Sequence, residues 1–301
     1  MDRMTTTKAT IVVRSHPVGP VHPVRRNGTS RILSAALALC AAELAPAQPS
    51  STTGATTEVT VPSTTYPRGR HAWVYTPAGY PASCRGACDL IVAFDGAMYL
   101  GAMPLPAILD SLVAAGRTPP TVAVLFDNGA PPGRIADLAN SRRFAAFVAE
   151  ELVPWTRAHY AVTRAADRTI VAGSSAGGLA AAYVALAYPA VFGNVLSQSG
   201  AFWRGDEGSN APPYESLTRR YAESPKADVR FFLDVGSEET VGAMGGAAPA
   251  LLDANRRLRA VLERKGYAVA YHEVPGGTHS PESWRARLPV GIVTLAPASG
   301  R

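Results

Sequence analysis

The chain has few cysteines and few charged residues, and each of these absences excludes certain classes of protein. Three cysteines in 301 residues are too few for a disulfide-rich scaffold or a cysteine-built zinc site. Charged residues make up 17% and hydrophobic residues 47%, which excludes a disordered chain and a coiled coil. The composition is that of a globular protein, and the length suits one domain plus a leader.

A strong excess of one charge is also absent once the N-terminus is set aside. The formal net charge is +6, but residues 1–47 hold six basic and two acidic side chains, and the rest of the chain holds 23 and 21. A net charge this small gives no basic surface for nucleic acid. We therefore expect no nucleic-acid partner.

The N-terminal apolar run is too short to span a bilayer as an anchor. This run, 32–42, follows Arg25, Arg26 and Arg31 and precedes an Ala-Pro-Ala site at 45–47, a pattern typical of an export signal. The alternative is an N-terminal core helix. We predict a signal peptide at 1–47, a Ser/Thr-rich linker at 48–57 and one folded domain at 58–301. The protein is then exported, periplasmic or secreted, with no stable membrane anchor.

The two cysteines outside the leader lie four positions apart in a loop rich in Pro and Gly. An even number of cysteines in an exported chain favours pairing. We predict a small surface disulfide between Cys84 and Cys88, with two free thiols as the alternative.

Strand-like and helix-like runs alternate after the linker, which predicts an α/β fold with a mostly parallel sheet covered by helices on both faces. The predicted strands are 71–76, 90–94, 121–126, 169–172, 191–197, 229–235 and 268–274. The predicted helices are 106–115, 141–159, 178–188, 250–265 and a short one near 281–288. The polar, poorly periodic stretch 203–228 is predicted to pass irregularly over the sheet as a lid or pocket wall, and 242–249 is a second irregular insertion.

A G-x-S-x-G motif lies between a predicted strand and a predicted helix, at Gly173-Ser-Ser-Ala-Gly177. In that context the motif indicates the nucleophile turn of an α/β-hydrolase, because the two glycines avoid side-chain clashes at a sharp bend. Ser175 is the candidate nucleophile, and the N–H of Ala176 is a candidate oxyanion donor. The alternative is a glycine-rich turn with an inert serine.

One histidine of the four beyond the leader suits the role of general base. His279 lies in a loop just after the last predicted strand, where this fold places its histidine. The other three lie within strand patterns or at a helix end. The alternative for His279 is a loop histidine without a partner.

The acid of a triad should follow a strand between the serine and the histidine. Glu239 and Glu238 both follow the strand 229–235, and Glu239 is the first choice. Asp234 lies within the strand and would sit below the site. A second oxyanion donor should come from a loop after an early strand, and the N–H of Gly96 or Ala97 is the candidate. Asp95 in the same loop is expected to be a structural residue that holds the loop.

Together these residues resemble the enterochelin (ferric siderophore) esterase-like branch of an esterase family of α/β-hydrolases, related also to feruloyl esterases and mycolyltransferases. The resemblance covers about residues 70–288. It implies a serine esterase without metal or organic cofactor, and the family pattern puts the acid three positions after Gly236, on Glu239. It is carried in chain order by segments 74–80, 94–96, 134–138, 151–154, 172–179, 188–189, 192–193, 196–203, 254–255 and 276–277, and by His279 and Trp284.

Two departures from the family pattern bear on specificity. Cytoplasmic enterochelin esterases carry an N-terminal β-sandwich domain, and we expect none in this sequence. The exported siderophore hydrolases also lack that domain, so the expected architecture is closer to theirs. The usual Gly-Gly-His is Gly-Gly-Thr-His.

The expected substrate is a small-molecule ester: a siderophore lactone, an aromatic ester or an acylated sugar. Acyl transfer to an alcohol and a catalytically silent ligand-binding protein are the alternatives. Arg134, Trp203 and Trp284 are candidate substrate-binding residues, and the two tryptophans are equally well explained as core residues. The sequence does not indicate an oligomeric state.

Overall fold

The computed structural model describes residues 52–130 and 132–296. The predicted leader and the start of the predicted linker lie outside these residues. The described strands are β1 (Ala55–Val61), β2 (Arg70–Thr76), β3 (Asp89–Phe94), β4 (Thr121–Phe126), β5 (Thr169–Ser174), β6 (Asn194–Gln198), β7 (Arg230–Gly236) and β8 (Ala268–Val274).

These strands form one sheet in the order β1-β2-β4-β3-β5-β6-β7-β8. The β1–β2 and β2–β4 pairs are antiparallel, and every later pair is parallel. The prediction of a mostly parallel α/β-hydrolase sheet is confirmed. Ser174 pairs with Gln198, and Gln198 pairs with Asp234, so β5, β6 and β7 bring their carboxyl ends to one edge of the sheet.

Helices cover both faces of this sheet. Leu90, Val92 and Phe94 of β3 point into one core with residues of α3 to α8, whereas Ile91 and Ala93 point into a second core with α1, α2 and α9. Burying a side chain such as Phe94 contributes roughly 1.5–3 kcal/mol. The helices are α1 (Gly96–Leu100), α2 (Leu105–Ala114), α3 (Gly133–Leu138), α4 (Arg142–Ala146), α5 (Val153–His159), α6 (Ala176–Ala187), α7 (Ser216–Glu223), α8 (Leu251–Arg264) and α9 (Pro281–Leu295).

Four predicted elements differ from the structure. Residues 55–57, predicted as linker, begin β1, an edge strand whose first residues are exposed. The predicted irregular stretch 203–228 contains α7. The predicted helix 141–159 consists of α4, a π-helical segment Phe147–Leu152 and α5. The short helix predicted near 281–288 continues through Pro289 to Leu295 as α9.

The predicted disulfide joins Cys84 and Cys88. Its predicted surface position is wrong, because the two residues are 6% and 1% exposed and pack into a core. The Cys88 N–H donates to the Ala161 carbonyl at 2.8 Å, which ties the loop to the segment before β5. Across residues 52–130 and 132–296, no helix is both long and apolar enough to cross a membrane.

Candidate active site

Ser175 occupies the sharp turn between β5 and α6. Its backbone has φ 56° and ψ −121°, a left-handed φ that a non-glycine residue adopts only at a cost. A side chain at Gly173 would collide with the backbone of Gly177, so this turn requires glycine. The bend leaves Ser175 partly exposed at the start of α6.

The backbone of Ser175 is fixed on both sides. Its N–H donates to the Gln198 carbonyl at 2.9 Å, and its carbonyl accepts from Leu179 at 3.1 Å and from Ala201 at 2.9 Å. The Leu179 bond is the first one within α6, so the amide of Ala176 has no acceptor in its own helix. Such an amide is suited to bind a developing negative charge.

His279 lies in the loop between β8 and α9 and contacts both other predicted triad residues. Its Nε2 is 3.0 Å from Ser175 Oγ, and its Nδ1 is 2.6 Å from Glu239 Oε2. An ionised carboxylate only accepts hydrogen bonds, so Nδ1 carries the proton and the Nε2 lone pair faces the serine. The extra Thr278 in this loop therefore leaves the imidazole within reach of the serine.

The Glu239 carboxylate is buried, with 2% of its side chain exposed. Its Oε1 accepts from Ser199 Oγ at 2.6 Å and from the Gly236 N–H at 2.8 Å. Burial by itself would raise the pKa of Glu239, but the hydrogen bonds from His279, Ser199 and Gly236 outweigh it and hold that pKa below its ordinary value. The carboxylate is therefore ionised opposite His279 at neutral pH.

The neighbouring Glu238 is placed quite differently. It is exposed, and its Oε1 accepts from Ser237 Oγ at 3.3 Å. Of the two adjacent glutamates left open by the sequence, Glu239 is the one that touches His279.

The loop after β3 packs against the first turn of α6. Asp95 has φ 62° and precedes α1, which begins at Gly96. Its N–H donates to Asn128 Oδ1 at 3.0 Å. A side chain at Gly177 would come within 3.3 Å of Asp95 Oδ2. The predicted donor amides of Gly96 and Ala97 thus belong to a segment that adjoins the nucleophile turn.

Arg134 is held by Asp95 in a two-pronged ion pair. Its Nε and Nη2 lie 2.6 and 2.7 Å from the two carboxylate oxygens. This geometry gives strength and fixed orientation. Arg134 therefore holds the loop after β3 in place. The sequence analysis predicted Arg134 as a substrate-binding residue and did not predict this contact with Asp95. A cleft of about 250 Å³ adjoins this pair, lined by Asp95, Ala97, Met98, Asp127, Gly129 and Arg134.

The two tryptophans predicted as pocket residues are buried, at 6% exposure for Trp203 and 5% for Trp284. Their burial agrees with the alternative that they are core residues. The Trp284 ring packs edge-on against His279, with centroids 4.9 Å apart, and its Nε1 donates to Ser199 Oγ at 2.9 Å. Trp203 packs against Tyr214 and lies under the guanidinium of Arg204.

Ser199 is a site residue that the sequence reasoning did not single out. It directly follows β6, the strand beside β5, so its position at the carboxyl edge of the sheet was the available signal. Ser174, the neighbour of the nucleophile, points inward, with its Oγ 3.3 Å from the hydroxyl of the buried Tyr99. Among residues 52–130 and 132–296, no group of three or more His, Cys, Asp or Glu is placed to hold a metal ion.

Comparison with known proteins gives one family. The family model described as "Putative esterase" matches residues 63–295. The curated iron(III) enterobactin esterase of Escherichia coli (strain K12) is 32% identical over 228 residues, which cover 76% of this chain and 54% of that protein. The iron(III) salmochelin esterase of Escherichia coli O6:H1 is 28% identical over 214 residues, covering 68% and 50%. The chain thus spans about half the length of the curated relatives it matches.

Solved structures agree with these matches. The enterobactin esterase of Shigella flexneri, crystallised in the presence of enterobactin, has a TM-score of 0.69 at 29% identity, covering 80% of this chain and 59% of that one. A ferulic acid esterase from Anaeromyces mucronatus in complex with ferulic acid has a TM-score of 0.63 at 18% identity, covering 82% and 93%. At that lower identity, the likeness concerns the fold alone.

Proposed function

Because this chain belongs to the esterase family whose model matches residues 63–295, we propose that it is a serine carboxylic-ester hydrolase. The proposed nucleophile is Ser175, the general base is His279 and the acid is Glu239. The observation that carries the proposal is the pair of hydrogen bonds at the imidazole, 3.0 Å to Ser175 Oγ and 2.6 Å to Glu239 Oε2. A serine hydroxyl becomes nucleophilic when an oriented base can take its proton.

The proposed reaction has two half-reactions. Ser175 Oγ bonds to the ester carbonyl carbon while His279 Nε2 takes the hydroxyl proton. The tetrahedral intermediate collapses, the bond to the alcohol oxygen breaks, and His279 returns the proton to the leaving alcohol. Water then attacks the acyl-enzyme through the same base, which releases the acid and restores Ser175. Glu239 holds the Nδ1 proton and stabilises the imidazolium throughout.

The negative oxygen of the tetrahedral intermediate is proposed to bind backbone amides. The candidates are the N–H of Ala176 and that of Gly96 or Ala97. Ala176 is favoured by its place before the first internal hydrogen bond of α6, and the other two by the packing of their loop against Gly177. One such donor is typically worth about 3 kcal/mol of transition-state stabilisation.

The proposed substrate is a small ester or lactone, first of all a catecholate siderophore trilactone, with aromatic and acylated-sugar esters as further candidates. The support comes from relatives named for iron(III) enterobactin and iron(III) salmochelin. Hydrolysis rates on a catecholate trilactone, a feruloyl ester and a nitrophenyl ester should rank the three classes. A chain that cleaves only the nitrophenyl ester would contradict the siderophore assignment.

Export completes the proposal. The signal-like pattern at 1–47 supports it, and so does the Cys84–Cys88 disulfide, since disulfides persist in oxidising compartments. N-terminal sequencing of secreted material should begin near Gln48. Secreted material that begins at Met1 would contradict cleavage of a leader.

A fluorophosphonate probe tests the catalytic assignment directly. We expect one covalent adduct on Ser175 of the wild-type protein, none on Ser175→Ala, and retention of the adduct on Ser174→Ala as the matched control. Ser175→Ala should also lower kcat on a nitrophenyl ester by roughly 10⁶-fold. A folded wild-type protein that takes no label would support the silent ligand-binding alternative. Ester product formed when an alcohol acceptor is added would instead support acyl transfer.

A further inference from the structure

Ser199 has a backbone that is held in an unusual conformation at the end of β6. Its φ is 48°, in the left-handed region that costs a non-glycine residue free energy. It is fully buried, and its N–H donates to the Asp234 carbonyl at 2.7 Å. The direction of its side chain is therefore set by the backbone and by the surrounding core.

The hydroxyl of Ser199 links two other buried side chains. It lies 2.9 Å from Trp284 Nε1 and 2.6 Å from Glu239 Oε1. An indole N–H can only donate and a carboxylate can only accept, so the direction of both bonds is determined. Trp284 donates to Ser199, and Ser199 donates to Glu239 in a short hydrogen bond to a charged group.

The same tryptophan also contacts the imidazole. The Trp284 and His279 rings meet edge-on at 89°, and the His279 Nδ1 contacts the free oxygen of Glu239. Four side chains thus form a closed ring of contacts: Trp284, Ser199, Glu239 and His279. We propose that Ser199 and Trp284 are positioning residues that hold the triad acid in the orientation His279 needs, an inference that rests on the proposed function.

The physical reason lies in the freedom of a glutamate side chain. The terminal torsion of Glu is broad, so a carboxylate held at one oxygen by a single amide can rotate. With Ser199 and the Gly236 N–H both on Oε1, the rotation is stopped and Oε2 stays directed at the imidazole. Without Ser199, only the Gly236 amide would hold Oε1, and the His279 Nδ1 would be aligned for less of the time.

The test compares Ser199→Ala, Trp284→Phe and the double variant by kcat and KM on a nitrophenyl ester. We expect Ser199→Ala to lower kcat roughly 10- to 100-fold, the range for a lost hydrogen bond to a charged group, with KM changed by less than about twofold. Trp284→Phe keeps an aromatic ring beside His279 but removes the donor, so it should lower kcat less. Because Trp284 acts through Ser199, the double variant should equal Ser199→Ala alone.

Ser197→Ala is the matched control. Ser197 lies within β6, two positions before Ser199, and is also fully buried, but its Oγ has no hydrogen-bond partner among the described residues. Its kcat should stay within about twofold of the wild type. Thermal melts of all variants establish that they fold, and if Ser199→Ala does not, Trp284→Phe carries the test.

A spectroscopic readout separates positioning from simple stability. The proton between His279 Nδ1 and Glu239 should give a strongly downfield proton NMR resonance. We expect Ser199→Ala and Trp284→Phe to shift or broaden it, and Ser197→Ala to leave it unchanged.

The outcomes are distinct. If Ser199→Ala keeps the wild-type kcat, or if the two substitutions act independently, the positioning inference is wrong while the ester hydrolase proposal stands. If Ser175→Ala is as active as the wild type, the proposed function itself fails.

Discussion

The Nε2 atom of His279 lies 3.0 Å from Ser175 Oγ, although 104 positions separate the two residues. Ser175 follows β5 and His279 follows β8, and two strands, β6 and β7, separate β5 from β8 in the sheet. The histidine loop covers this distance by lying across the end of β7, where a side chain at Gly236 would collide with the backbone of Gly277. The Glu238 N–H donates to the Gly277 carbonyl at 3.0 Å. This close packing of the Gly236 and Gly277 backbones places both Glu239 and His279 beside Ser175.

The two adjacent glutamates give the sharpest test of the acid. Glu239→Gln should lower kcat by something on the order of 10⁴-fold, because an amide no longer stabilises the imidazolium and favours the wrong tautomer. Glu238→Gln is the control, since Glu238 is exposed, and should stay near the wild-type rate. Steady-state kinetics on a nitrophenyl ester measures both. Loss of activity in Glu238→Gln alone would show that the acid is misassigned.

Replacement of Arg134 distinguishes loop positioning from substrate contact. Lysine cannot bridge both oxygens of Asp95 as the guanidinium does, so Arg134→Lys should release the loop after β3. We expect kcat to fall roughly 10-fold with a smaller change in KM. The exposed Arg117 supplies the control, Arg117→Lys. A raised KM with an unchanged kcat would instead mean that Arg134 binds substrate, as the sequence analysis expected.

Glu151 should make the stability of the fold depend on acid pH. Although burial acts to raise the pKa of Glu151, hydrogen bonds from Ser63, Thr65 and Thr64 lower it from 4.5 to about 2. The unfolded chain therefore binds a proton at higher pH than the folded one. The stabilisation by Glu151 is fully present above its ordinary pKa and is lost as the pH falls towards 2.

Urea unfolding at several pH values measures this contribution. Glu151→Gln should be less stable than the wild type near pH 6, and the difference should shrink as the pH falls below 4.5. The exposed Glu223 provides Glu223→Gln as the control. A difference that stays constant down to pH 2 would rule out an effect of Glu151 ionisation.

The disulfide should stabilise the fold without affecting catalysis. Replacing both Cys84 and Cys88 with alanine should cost about 2 kcal/mol of unfolding free energy, the chain-entropy value for so short a loop. Cys88 precedes the first residue of β3, whereas Asp95 follows its last, so the disulfide is at the opposite end of the strand from the site. Urea unfolding and esterase kinetics check the two parts. A kcat altered more than about twofold would contradict this separation.

The central parallel strands of the sheet could be predicted because they are buried on both faces. β3 and β4 are buried along their whole length and are apolar after their first residues, Asp89 and Thr121, and buried parallel strands appear in sequence as continuous apolar runs. The G-x-S-x-G turn and the loop position of His279 depend on local backbone geometry, which sequence also records. The family assignment is confirmed by the family model that matches residues 63–295, and the segments that carried the resemblance include this turn and this loop.

What could not be predicted depends on contacts between distant segments. β1 is an edge strand whose first four residues are exposed, so its Thr-rich start shows little of the apolar alternation that marks a strand. Trp284 could equally have faced a pocket or the core, and only the placement of α9 against His279 and Ser199 decides between them. The same holds for Arg134, whose partner Asp95 is 39 positions away.

Three neighbouring strands, β3, β5 and β6, are each followed by a non-glycine residue with a positive φ: Asp95 at 62°, Ser175 at 56° and Ser199 at 48°. Each such conformation costs of the order of 1 kcal/mol or more. Glycine at these points would relieve that backbone cost, but it would also remove the Asp95–Arg134 ion pair, the Ser175 hydroxyl and the Ser199 hydrogen bond to the buried Glu239. The strained backbone at these three positions is therefore kept for the side chains that it carries, and stabilising substitutions for an industrial catalyst should be sought elsewhere in the chain.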